Sequence, residues 1–338
     1  MTIGTGAAIF GCAGPVLLAD ERAFFREADP FGFILFARNV QDPDQLRRLT
    51  GDLRAAVGRE APVLVDQEGG RVQRLRAPYW REWQPPFETV AGFDLVENAA
   101  RAMGLRARII AAELRAVGID SNCAPVADVA REGTHPFLKN RCYGIDPDVV
   151  SAIARAVAGG YLAGGVLPVV KHMPGHGLSL MDTHLDLPTV QAGREELQAV
   201  DFVPFRTLAD LPMAMTAHIV FSDFDDRPAT QSPTMIKAIR DDIGFLGLLM
   251  TDDLNMEALH GTLASRTAAS LAAGCDIALH CKGDLAQMVE VAAAAGAMRP
   301  DTRKRAAAAL ATRQVPDAVD IASLEADLAA LHAGPLHA

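Results

Sequence analysis

Three short stretches of the chain hold side chains whose types and spacing can do chemistry. KHMPGHGLSLMDTHLDLP (171–188) carries one lysine, three histidines and two aspartates among glycines and prolines. His172 and His176 are four apart, the spacing that puts two imidazoles on one face of a helix and on one metal ion. Met173, Pro174 and Gly175 lie between them, and Pro followed by Gly argues against a helix there. The pair also lacks the glutamate of HExxH. Asp182 and His184 are two apart. In an extended segment they point the same way, so the carboxylate can hold the imidazole in one tautomer. That arrangement serves proton transfer as readily as metal binding, or leaves His184 merely hydrogen-bonded at the base of a loop.

VDQEGGRVQR (65–74) ends an apolar run with Asp66 and Glu68. Gly69 and Gly70 suit a tight turn or a close approach of backbone to ligand. Arg71 and Arg74 could reach a substrate hydroxyl or carboxylate, the alternative being surface arginines. LGLLMTDD (246–253) ends a third apolar run. Asp252 stands at its tip, facing whatever the strand opens onto, or else capping the next turn; alternation turns Asp253 elsewhere. His218, at the end of AMTAH, is read as a residue of the mouth or of its support.

Strands must deliver these groups to one place. Eight runs rich in Val, Ile, Leu and Phe recur: PVLLA (15–19), GFILFA (32–37), PVLVD (62–66), IDSNCAPVA (119–127), GVLPVVK (165–171), PMAMTA (212–217), LGLLMTD (246–252) and DIALH (276–280). Several are almost continuously apolar, as parallel strands covered on both faces are. Helix signals separate them: Pro43 before DQLRRLTGDLRAAV, a segment from Val96 to Val117 stopped by Gly118, and Pro147 opening another. Ser232 and Pro233 form an N-cap and first turn, and Gly274 ends an Ala-rich segment. Eight strand–helix units predict an α/β fold of the (β/α)8 TIM-barrel kind, with irregular first strands. A doubly wound sheet is the rival, but GxGxxG is absent after the first strand. The barrel is expected over residues 1–300, with 301–338 a helical extension packed on it. The polar groups then collect where a barrel keeps its active site, at the C-terminal ends of the strands: DQEGGRVQR after the third, KHMPGHG after the fifth, AHIVFSD after the sixth, TDD after the seventh.

Bulk properties narrow the classes. The 338 residues are 50% hydrophobic and 22% charged, which suits a globular chain of enzyme size. A net charge of -10 argues against a nucleic-acid partner. Five scattered cysteines without a CxxC pair suggest a reducing compartment. With no basic region before the early apolar run and no long apolar span, a cytoplasmic location is expected.

VDQEGGRVQR, KHMPGHGLSLMDTH (171–184) and TDDLNM (251–256) together resemble the family 3 glycoside hydrolases. The resemblance is nearest to their single-domain bacterial β-N-acetylglucosaminidases of peptidoglycan recycling. LFARN (35–39) and AMTAHIVF (214–221) are similar to that subgroup too. The resemblance implies a nucleophile at Asp252, a general acid/base at His184 and its orienting partner at Asp182. It implies that Asp66, Arg74, Arg141, Lys171 and His172 grip a terminal N-acetylglucosamine. Cys142, beside Arg141 in KNRCYG, stands where the family more often has serine, and Asn255 also commonly reads serine. The implied reaction is double displacement with retention, on muropeptides of the GlcNAc-1,6-anhydroMurNAc type. A histidine acid departs from the usual carboxylate pair, yet an imidazole with a reference pKa near ~6.5 beside a carboxylate keeps a proton near neutrality. GLSLMDTHLD is read as a loop that brings His184 in on substrate binding. No cofactor and no metal are expected; partners are a small carbohydrate substrate and, at most, a weak homodimer. Rival readings are a β-glucosidase or glycoside phosphorylase of the same family, a metal-dependent barrel hydrolase using His172, His176, His184 and His218, and a sugar-binding protein without activity. Trp80 and Trp83, in the insertion after the third strand, either stack on a ligand or pack over the rim.

Overall fold

A computed structural model describes residues 2–179 and 187–333. Eight strands, β1 (Gly6–Phe10), β2 (Pro30–Leu35), β3 (Val63–Val65), β4 (Ser121–Asn122), β5 (Leu167–Met173), β6 (Met213–Thr216), β7 (Leu248–Asp253) and β8 (Ile277–His280), close into a barrel in which each is parallel to its neighbours. The expected (β/α)8 barrel is the fold found.

Seven of the eight runs supply barrel strands. The first does not. PVLLA lies between β1 and the helix Ala19–Ala28, and the strand is GAAIF instead. Its small residues hide it from a reading that seeks branched side chains. At Gly6 the backbone is crowded: a Cβ there would come 2.4 Å from the Ala28 carbonyl oxygen. The fourth run is longer than the strand it contains. Only Ser121 and Asn122 lie in the β4 ladder. Pro125, which has no N–H to give, interrupts the pairing until Val126 bridges to Lys171.

Helices form where their end signals stand. Asp42 and Ser232 cap Pro43–Val57 and Pro233–Asp241 by accepting from the backbone N–H groups of Gln45 and Met235 (2.8 and 2.9 Å). Gly274 ends Leu263–Ala273 at φ +119°, a left-handed conformation that favours glycine. No helix among the described residues is long and apolar enough to cross a membrane.

Alternation along the strands divides the core in two. Ala7, Ile9, Leu64, Leu167, Val169, Leu248, Met250, Ile277 and Leu279 fill the barrel interior. Phe10, Phe33, Val63, Val65, Val170 and Leu249 meet the helices outside. Extending the interior parity to the strand ends delivers Asp66, Lys171 and Asp252 to the mouth. At the opposite end, the fully buried Asp276 accepts from Leu249 N (3.1 Å), Arg240 (2.8 Å), Thr302 (2.8 Å) and Arg305 (2.9 Å). Arg313 pairs with Asp120 at 2.8 Å. The helix Pro300–Ala311 thus closes the barrel floor, with Ala306 and Leu310 in the interior cluster. A last helix, Ile321–Ala333, lies along Val96–Ala116.

Candidate active site

At the C-terminal mouth of the barrel lies a cavity of about 270 Å³, lined among others by Asp66, Arg71, Arg74, Arg141, Lys171, His172, His176, Asp252 and Asp253. Every described residue expected to grip a sugar, and the expected nucleophile, reaches this one cavity. Asp182 and His184 lie outside the described residues.

One wall is an ion network rooted in β3 and β5. Asp66 accepts from Lys171 Nζ (2.9 Å) and from Arg74 Nη2 (2.9 Å). Glu68 accepts from Arg141 through both carboxylate oxygens, each at 2.9 Å, and lies 2.6 Å from Lys171 Nζ. Such a bidentate pair fixes the guanidinium plane as well as its place. Burial opposes charge on both carboxylates, but Lys171, Arg74 and Arg141 outweigh it, and both titrate below the ordinary carboxylate range. For Lys171 burial again works against charge, and Asp66 and Glu68 reverse it, so the ammonium is held more firmly than an ordinary lysine's.

The turn after Asp66 explains the glycine pair. Residues Gln67–Gly69 and Val72–Gln73 form a short antiparallel hairpin, with φ +103° at Gly69 and +58° at Gly70. A Cβ on Gly69 would lie 1.7 Å from Arg106 Nη2, and Arg106 donates to the Glu68 carbonyl at 2.8 Å. Gly70 N–H donates to the Trp83 carbonyl at 2.8 Å. Trp83 packs its ring against Arg106, and Trp80 is buried at 8% exposure. Neither lines the cavity, so the tryptophans brace the rim.

Register between β5 and β6 shifts between Val170 and Met173, and both Lys171 and His172 line the cavity. His172 Nδ1 lies 2.7 Å from Asp128 Oδ2, and Nε2 lies 3.3 Å from Arg141 Nη2. The shorter contact places a hydrogen on Nδ1 that points to Asp128. Asp128 also accepts from the backbone N–H groups of His172 (3.2 Å) and His176 (2.8 Å). It is fully buried, and the sequence reading misses it because the fourth apolar run closes one residue earlier, at Ala127. A signal is present all the same: an aspartate directly after the fourth apolar run. Burial, then the neighbouring His172, pushes the His176 pKa down to about 4. Among the described residues no three His, Cys, Asp or Glu side chains converge as a metal site.

The facing wall is the β7 tip. Among the described residues, the Asp252 side chain receives one hydrogen bond, from the Asp253 backbone N–H (2.8 Å). Burial opposes its charge, but His172, His218, that N–H and Lys171 outweigh it, leaving its pKa below the ordinary value. Asp253 also borders the cavity, against the expectation from alternation, because the β7–β8 register shifts between Met250 and Asp253. Its Oδ1 accepts from the N–H groups of Asn255 and Cys281, both at 3.1 Å, and so ties the loop down. His218 is buried beneath: Nδ1 lies 2.8 Å from Thr230 Oγ1, and Nε2 donates to the Asp253 carbonyl at 3.1 Å. It supports the tip and does not line the cavity. Cys142, beside Arg141, is buried and its Sγ donates to the Leu138 carbonyl at 3.4 Å, a substitute for a serine hydroxyl.

Known proteins carry the same arrangement of chain. A β-hexosaminidase of Methylococcus capsulatus is 40% identical over 281 residues, 81% of this chain and 82% of that protein. The structure of NagZ from Neisseria gonorrhoeae in complex with N-trifluoroacetyl-D-glucosamine superimposes with a TM-score of 0.80 at 30% identity, covering 98% of this chain and 99% of that one. A glycoside hydrolase family 3 β-N-acetylglucosaminidase from Paenibacillus sp. gives a TM-score of 0.82 at 27% identity, covering 95% of this chain and 66% of that one. The glycosyl hydrolase family 3 N-terminal domain matches residues 20–310, spanning every barrel strand except β1, and the chain belongs to that family.

Proposed function

We propose that the protein is a retaining exo-β-N-acetylglucosaminidase that removes terminal N-acetylglucosamine from muropeptides of the GlcNAc-1,6-anhydroMurNAc type. The observation that carries this reading is the opposition, across one cavity, of Asp252 to a wall of fixed donors and acceptors; Asp252 has no paired cation among the described residues. Hydroxyl groups of the terminal sugar are held by Asp66, Arg74, Arg141, Lys171 and His172. Asp252 attacks the anomeric carbon while His184, oriented by Asp182, gives its proton to the departing oxygen. Water then loses a proton to His184, attacks the same carbon and displaces Asp252, so two inversions leave the configuration retained. The names of the relatives, β-hexosaminidase and β-N-acetylglucosaminidase, support the choice of sugar.

Five free, buried cysteines support a reducing, cytoplasmic setting. Residues 1–300 are read as one catalytic domain and 301–338 as its helical extension. The test is turnover of an aryl N-acetyl-β-glucosaminide against the aryl β-glucoside, with and without phosphate. Preference for the glucoside, or dependence on phosphate, would overturn the proposed reaction.

A further inference from the structure

Four lysine or arginine side chains line the cavity, and three are committed. Arg74 pairs with Asp66, Arg141 with Glu68, and Lys171 with both carboxylates. Arg71 has no carboxylate within ion-pair distance among the described residues. It sits at the turn of the 67–73 hairpin, exposed at the rim, with its guanidinium 4.5 Å above the Phe137 ring. The inner arginine, Arg141, lies 5.5 Å from the same ring. A ladder therefore runs outward from the sugar wall: Glu68, Arg141, Phe137, Arg71. The lower rungs are neutralised and the outermost is not.

Position assigns the rungs to different parts of a substrate. Lys171 and His172 are almost wholly buried, whereas Arg71 is exposed, and His135 and Phe137 are half-buried beside it. A terminal sugar that reaches Asp252 leaves its aglycone at the rim. An anion arriving there meets a chain of net charge -10 and a cavity containing Asp66, Asp252 and Asp253, so it needs a local cation to be tolerated. A guanidinium stacked on an aromatic ring keeps its edge, with paired N–H groups, available to a planar carboxylate. Two positive-φ glycines and the Arg106 and Trp83 contacts set the hairpin, so the cation is placed before ligand arrives.

We infer that Arg71, stacked on Phe137, is a specificity-determining residue that binds a carboxylate carried by the aglycone. This rests on the glycosidase reading above and deepens it by naming the residue that meets the group past the scissile bond. The test compares kcat/KM for 4-nitrophenyl N-acetyl-β-glucosaminide and its 3-carboxy-4-nitrophenyl counterpart in wild type, Arg71→Ala and Arg71→Lys. Because each ratio is taken against the wild type, the different leaving groups cancel. Arg71→Ala should lower the carboxylated-to-neutral ratio by about fivefold or more, and Arg71→Lys should restore part of it, since charge survives without the planar fork. Added salt should lower the wild-type ratio as well. Turnover of both compounds with the same ratio in all three proteins overturns the carboxylate subsite and leaves the glycosidase reading standing. A wild type inert toward both overturns the two together.

Discussion

Asp66 and Asp252 are the same residue type at the tips of two barrel strands, facing one cavity, yet their surroundings are opposite. Asp66 is tied to two cations: a lysine and an arginine each bind one of its oxygens. Among the described residues, Asp252 holds a single backbone N–H. A carboxylate tied to two cations is fixed in place and still has lone pairs to accept from a ligand hydroxyl. A carboxylate kept ionised by its surroundings, but not bound by a cation, keeps a lone pair for carbon. Both titrate below the ordinary range, so ionisation alone does not separate the two roles; occupancy of the oxygens does.

That contrast breaks or sharpens under mutation. Asp252→Ala should lower kcat by on the order of 10³-fold or more, with a stability change within about 1 kcal/mol, since no buried cation among the described residues loses its partner. Asp66→Ala should lower kcat/KM by roughly 10²-fold and cost about 3 kcal/mol in denaturant unfolding, because Lys171 and Arg74 lose a shared acceptor in a buried place. Equal stability losses in the two variants would remove the distinction. Asp128→Asn keeps the shape but weakens the hold on His172, and an increase of roughly tenfold in KM with a smaller change in kcat is expected. An unchanged KM would show that the imidazole is placed by packing alone.

The smallest effect concerns pH. Glu68 has a folded-state pKa below its unfolded value near ~4.3, so its pairing stabilises the fold above that value and the gain is lost as pH falls through the folded value. The Tm difference between wild type and Glu68→Gln should therefore be constant from pH 7 to about 5 and narrow on further acidification. A gap that widens in acid would contradict the ion network as drawn.

The strand tips are legible in the sequence because a barrel sends polar residues to one end, and alternation then selects Asp66, Lys171 and Asp252. Alternation fails where the ladder slips. Asp253 and the Lys171–His172 pair sit at register shifts that no count of residues reveals. Asp128 is hidden because the fourth apolar run closes at Ala127, and the paired strand within it, Ser121–Asn122, ends well before that aspartate. β1 is hidden by its opening of glycine and alanines, where the Ala28 carbonyl excludes a Cβ at Gly6. Glu68 is a candidate from its place after the third strand, but its service to Arg141, far along the chain, needs three dimensions to be seen.

The clasp on Asp276 has a consequence for the order of events in the life of the chain. The last barrel strand begins beside an aspartate with almost no exposure, and two of its partners, Thr302 and Arg305, come more than twenty residues later. A ribosome that has released all eight strands has released Arg240, one cation on Asp276, but not yet Thr302 and Arg305. Full pairing of that aspartate waits on a segment at the far end of the barrel, so synthesis completes the cavity lining in sequence before it completes the seal on the floor.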